Sequence, residues 1–150
     1  MTEKIARGEI CMYDLVRAMD AADENMPAYF DLKTGKIEVV DYYGVTRPTN
    51  THLYALIRED DYKRFIPLPA PEDIDLYHIM WDFVRLQKQP SVKSRLTSAL
   101  QRKGAYRNFR EVLKDVHGED TWYSYRLERL HTIAKKWCQD NRIFYYYYYY

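Results

Sequence analysis

Four cations recur in the stretch RKGAYRNFREVLKD: Lys103, Arg107, Arg110 and Lys114, spaced four, three and four residues apart. On a helix advancing ~100° per residue that spacing puts them on one strip, an arrangement that can meet successive phosphates of a nucleic acid. Tyr106, Phe109, Val112, Leu113 and Val116 fall on a separate arc of about a third of the circumference. Tyr106 and Phe109 are therefore assigned to the core, and only the strip is left for a ligand. The competing account is a solvated helix face whose charges pair with Glu111 and Asp115.

A second pair of cations lies on the last helical stretch, where Arg126 falls among apolar positions and Arg129 at their edge near Trp122. A guanidinium there needs a carboxylate or carbonyl partner and can lie against an aromatic ring. The expectation is a structural ion pair, with an anion site built by both arginines as the alternative.

Catalytic chemistry is thinly represented. His131 and Cys138 share a side of one helix, but seven residues separate them by about 10 Å along the axis, too far for a hydrogen-bonded dyad. His52, His78 and His117 are scattered without the close Cys/His pairs of a zinc site, and no glycine-rich phosphate loop or serine elbow occurs. The carboxylates of REDD and PEDID adjoin a turn and open a helix. No enzymatic activity, cofactor or metal is expected.

The elements that must position these residues follow from period. Met12, Leu15, Val16 and Met19 mark a short helix that ends before Asn25, Met26 and Pro27. Phe30 and Leu32, then Ile37 and Val39, alternate on either side of KTGK, a β-hairpin with Gly35 at the turn. GVTRPTN reads as loop and the apolar run HLYALI as a strand, although so short a run fits a helix as well. KRFIPLPAP is extended, because each X-Pro pair disfavours helix at the preceding residue.

Pro71 opens a helix through PEDIDLYHIMWDFVRLQ, with Leu76, Met80, Phe83 and Val84 on one side and Tyr77 and Trp81 beside them. Pro90 to Leu100 forms another, and Gly104 separates it from the helix of the basic strip. The last helix, from about Asp120 to Asp140, carries Trp122, Leu130, Ile133, Ala134 and Trp137 on one face. The terminal FYYYYYY suits an edge strand or an oligomer contact better than a free ordered tail.

The expected fold is α+β, with an N-terminal helix and small antiparallel sheet over residues 1–69, about four packed helices over 70–143 and a poly-Tyr tail over 144–150, in one domain. Of the 150 residues, 23 are Lys or Arg and 22 Asp or Glu, a formal charge of +1, so any nucleic-acid surface must be local. Cys11 and Cys138 have no paired spacing, as in a reduced cytoplasmic protein. No signal-like or membrane-spanning run occurs.

DLVRAMDAAD, AYFDLKTGKIEVV, RFIPLP, LYHIMWDFV, ALQRKGAYRNFREVL and WYSYRLERLHTIAKKWCQDNRI together resemble the uncharacterised bacterial protein family 0158. The most specific part is the C-terminal half, where Gly104, Ala105, Tyr106, Arg107, Phe109, Trp122, Tyr125, Arg129, Ala134 and Trp137 fall at the family's spacing. The chain departs from the pattern between Tyr42 and Asp61, where family members tend to be acidic, and at its poly-Tyr end. The resemblance implies no activity, cofactor or catalytic residue. With 16 tyrosines and no assembled catalytic group, the leading expectation is a non-enzymatic protein-interaction or regulatory module, or one that self-associates. Nucleic-acid binding through the strip is the alternative.

Overall fold

The computed structural model describes residues 6–41 and 48–147, and its fold is α+β. Contacts divide the chain into two compact units, Met1–Ile74 with Leu130–Tyr150, and Asp75–Arg129.

In the first unit, strand β1 (Gly8–Cys11) leads directly into helix α1 (Met12–Asp20), which buries Met12, Leu15 and Met19 at helical spacing. Strands β2 (Ala28–Asp31) and β3 (Lys36–Val39) form the expected hairpin, with Asp31 opposite Lys36. Gly35 takes a φ of +73° there, a conformation that costs glycine little. Its N–H donates to the Asp31 carbonyl at 2.8 Å, and the Asp31 carboxylate accepts from the Lys33 N–H at 2.9 Å. Strand β4 (Phe65–Pro67) pairs on the other edge of β2, giving the antiparallel order β3-β2-β4. The proline-bounded segment is thus extended, as its composition implies.

HLYALI is helical and not a strand: helix α2 spans Pro48–Asp60. Leu53, Leu56 and Ile57 recur at the helical three-and-four spacing, and Pro48 sits at the first position, where its missing N–H costs nothing. The loop expected at residues 44–50 lies outside the described residues as far as Arg47, and 48–50 belong to α2. At its end Asp60 accepts from the N–H groups of Arg64 and Phe65 at 2.7 and 2.8 Å, turning the chain into β4.

The helix opened by Pro71 is not continuous. It breaks into α3 (Pro71–Ile74) and α4 (Leu76–Arg85). Asp75 between them adopts a left-handed φ of 52° and its carboxylate accepts from the His78 N–H at 3.2 Å. Aspartate tolerates that conformation and caps the new helix, so the apolar period runs across a break it does not reveal. The buried face of α4 is Ile79, Met80, Phe83 and Val84, with Leu76 only half-buried.

The second unit continues with α5 (Pro90–Gln101), which buries Leu96, Ala99 and Leu100, and α6 (Ala105–Asp115), which buries Phe109, Val112 and Leu113. Helix α7 (Glu119–Asn141) gives its first turns to this unit and its last to the other. Phe83, Phe109, Trp122 and Tyr125 form an aromatic core, with ring centroids 5.0 Å apart for Phe109 and Trp122 and 5.2 Å for Phe83 and Trp122. Edge contacts of this kind add to the burial of each ring.

The poly-Tyr end forms strand β5 (Ile143–Tyr146), which pairs in parallel with β1, Gly8 opposite Ile143. It does not extend the antiparallel sheet. Strand β1 had no signal of its own in the sequence. A Cβ at Gly8 would sit 3.3 Å from Leu32 and 3.4 Å from Phe30, so the strand approaches the hairpin closely. Trp137 anchors this unit's core, its ring edge-on to Phe30 and its indole N–H donating to the Pro67 carbonyl at 2.9 Å.

Candidate functional site

Helix α6 begins where Gly104 takes a φ of 77°, ending α5 and its connection and redirecting the chain. The buried Phe109, Val112 and Leu113 fix the rotation of α6, so Arg107, Arg110 and Lys114 are carried on the outside and all three are exposed. Lys103 lies just before the helix, also exposed, and its carbonyl accepts from the Asn108 amide at 3.0 Å. Asp115, a proposed partner for the strip, is instead held by Arg95 of α5 at 2.9 Å. Among the described residues, Lys103, Arg107, Lys114 and Glu111 enter no ion pair.

Tyr106 is not a core residue. It is 39% exposed, the Arg110 guanidinium lies 5.9 Å from its ring centre, and Arg126 of α7 reaches its hydroxyl at 3.4 Å. The wheel carried the signal: Tyr106 is the apolar position nearest Arg110, about 40° away, at the margin of the buried arc.

Arg126 and Arg129 each reach a different neighbour. Arg126 is half-buried and meets Tyr106, whereas Arg129 donates to Asp82 of α4 at 2.8 Å and to the Tyr125 hydroxyl at 2.7 Å. The ring that the Arg129 guanidinium lies against is Tyr125, 5.7 Å away. The hydrogen bond from Arg129 holds the Asp82 carboxyl below its ordinary range, and Arg129 itself is held more firmly protonated.

The model of the Uncharacterised protein family (UPF0158) matches residues 9–147. The chain belongs to that family. It is similar to UPF0158 protein PA5073 of Pseudomonas aeruginosa, with 28% identity over 118 residues, 77% of this chain and 72% of the relative. No solved structure matches the chain.

In this UPF0158 chain the histidines and cysteines are dispersed over both units. The His131 ring nitrogen is 2.7 Å from the Tyr147 hydroxyl, and burial, aided by Lys135, pushes its pKa down. Cys138 is buried and its thiol is pushed up to about 11, the reverse of an activated nucleophile. Cys11 is also buried and free. His52 is exposed on α2, His78 stands 3.3 Å from Asp82, and His117 sits in a left-handed turn. Of the carboxylates of PEDID and REDD, Asp73 accepts from the Ala70 N–H at 2.9 Å, Asp75 from the His78 N–H and Asp60 from the Arg64 N–H. Among the described residues no group of three or more His, Cys, Asp or Glu could hold a metal, and no helix is long and apolar enough to cross a membrane.

The UPF0158 sequence hid two charged pairs. Asp31, 2% exposed, receives two hydrogen bonds from Arg64, both 2.8 Å, a bidentate pair across 33 residues. Only the sheet order that sets β4 beside β2 brings them together. Asp82 was likewise invisible as the partner of Arg129, because it sits at an unremarkable position of an amphipathic helix.

Proposed function

We propose that this protein is a non-enzymatic binding module whose ligand is a nucleic acid, met by Lys103, Arg107, Arg110 and Lys114. The observation that carries the reading is that these four cations are exposed and, among the described residues, none of them is in an ion pair, Asp115 being committed to Arg95. The charge distribution supports it: Asp75–Arg129 holds 11 Lys and Arg against 7 Asp and Glu, and the rest of the chain 12 against 15. A chain close to neutral overall therefore concentrates a net +4 in the unit that bears the strip, and such local fields attract polyanions.

The test is titration of a short oligonucleotide at several salt concentrations with the wild-type chain and with Arg107→Glu/Arg110→Glu. Loss of affinity with a salt slope shallower by about one unit for each phosphate contact removed supports the reading. Equal binding by both proteins, or none at low salt, ends it.

A protein partner is the second reading, favoured by a groove of about 420 Å³ in the other unit. Its walls include Ala22, Val39 and Pro69, and its rim carries Asp23, Glu24 and Glu72 with no Lys or Arg, which suits a basic segment. A partner captured from a bacterial lysate by the wild-type chain and lost with Val39→Arg would favour this reading; equal capture by both would reject the groove.

A further inference from the structure

Tyr106 and Tyr123 of the Asp75–Arg129 unit stand outside its core. Tyr106 in the first turn of α6 is 39% exposed, and Tyr123 in α7 is 54% exposed. Arg126 links them: it follows Tyr123 by three residues, which places the two side chains on one helix face, and its guanidinium reaches the Tyr106 hydroxyl at 3.4 Å. The Arg110 guanidinium, part of the basic strip, lies over the Tyr106 ring, 5.9 Å from its centre. Tyr106 is thus a partly exposed ring beside a cation of the strip, and Arg126 connects it with the exposed Tyr123.

We propose that Tyr106 and Tyr123 are base-stacking platforms and that the surface takes a single-stranded nucleic acid. The inference rests on the nucleic-acid reading above and adds the kind of strand. A duplex presents phosphates outside and keeps its bases stacked within, so it would use the cations and leave the two rings idle. An unpaired strand offers both: its phosphates meet Lys103, Arg107, Arg110 and Lys114 while its bases lie on the rings, in a way tolerant of sequence because every base has a π face. Arginine beside each ring adds a cation to the same stack. Neither tyrosine is among the buried residues that hold the unit together, so their substitution leaves the fold in place.

The full chain is titrated with oligothymidylate and oligouridylate of roughly 20 nucleotides, a blunt duplex of equal length, and inorganic polyphosphate, which has the charge but no bases. The wild type should bind a single strand more tightly than the duplex, the tighter of the two oligomers naming the natural strand. Tyr106→Ala and Tyr123→Ala should each weaken that binding by about 5- to 150-fold, and polyphosphate binding should not change. Tyr106→Phe should keep the wild-type affinity, since the ring and not the hydroxyl carries the stack. Single-strand binding that depends on Arg107 and Arg110 but ignores both alanine variants overturns this proposal and leaves the nucleic-acid reading standing. Losses of equal size on polyphosphate also overturn it, and no oligonucleotide binding at low salt overturns both.

Discussion

Arg129 and Asp82, 47 residues apart in the chain, are joined by a 2.8 Å charge-assisted hydrogen bond, and the same Arg129 nitrogen donates to the Tyr125 hydroxyl at 2.7 Å. Asp82 in turn accepts from Arg85 at 2.6 Å. The guanidinium thus ties α7 to α4 beside the aromatic core of their unit.

Arg129→Ala should destabilise the fold by about 1–3 kcal/mol, because it removes both hydrogen bonds and the contact with the Tyr125 ring. Arg129→Lys should recover little, since an ammonium cannot reproduce the planar contact. Thermal melts of the three proteins test this, and an unchanged melting temperature in the alanine variant would return Arg129 to the list of ligand contacts.

The Asp31–Arg64 pair predicts a pH dependence. Arg64 holds the Asp31 carboxyl down to about 2 from an ordinary 3.8. A carboxylate with a depressed folded pKa contributes stability above its unfolded pKa and loses it as pH falls toward the folded one. Asp31 should contribute about 2 kcal/mol at neutral pH, fading between roughly pH 5 and pH 2. Denaturant midpoints of wild type and Asp31→Asn should therefore converge on acidification, and parallel curves would remove the pair from the account.

Phe109 is fully buried against Phe83 and Trp122. Phe109→Ala should cost about 3–5 kcal/mol in urea unfolding. A loss below about 1 kcal/mol would mean the site collapses around the missing ring.

At Gly104, a Cβ would meet only the Asn108 amide at 3.9 Å, so space is not the constraint; the φ of 77° is. Gly104→Ala should cost about 1 kcal/mol, and Gly104→Asn less, because asparagine tolerates the left-handed region better. Equal stability of all three in chemical denaturation would exclude backbone strain at the start of α6.

Asp115 offers a prediction of opposite sign. Removing this exposed carboxylate frees Arg95 and relieves the negative charge next to Lys114. Asp115→Ala should tighten oligonucleotide binding and steepen its salt dependence, with stability changed by less than about 1 kcal/mol. Weaker binding would assign Asp115 a positioning role.

What the sequence determined by itself was local. Alternation on both sides of KTGK marked the hairpin, and Pro90 marked the start of α5. The single apolar stripe of α6 set its rotation, and with it the outward face of the basic strip. These follow from periods of two and 3.6 residues, which neighbours along the chain display without reference to anything distant. The tertiary structure decided whatever needed a partner far away in the chain. HLYALI is helical, a choice that a six-residue apolar run satisfying either period does not reveal; it lies inside a helix of 13 residues, Pro48–Asp60. The parallel pairing of β1 with β5 joins the two ends of the chain, and a strand of four residues has no period long enough to declare itself. Asp31 finding Arg64, and Asp82 finding Arg129, depend on which elements become neighbours. Tyr106 differs from Phe109 for the same reason: both lie on the apolar arc of α6, and only the packing against α6 determines which part of that arc is covered.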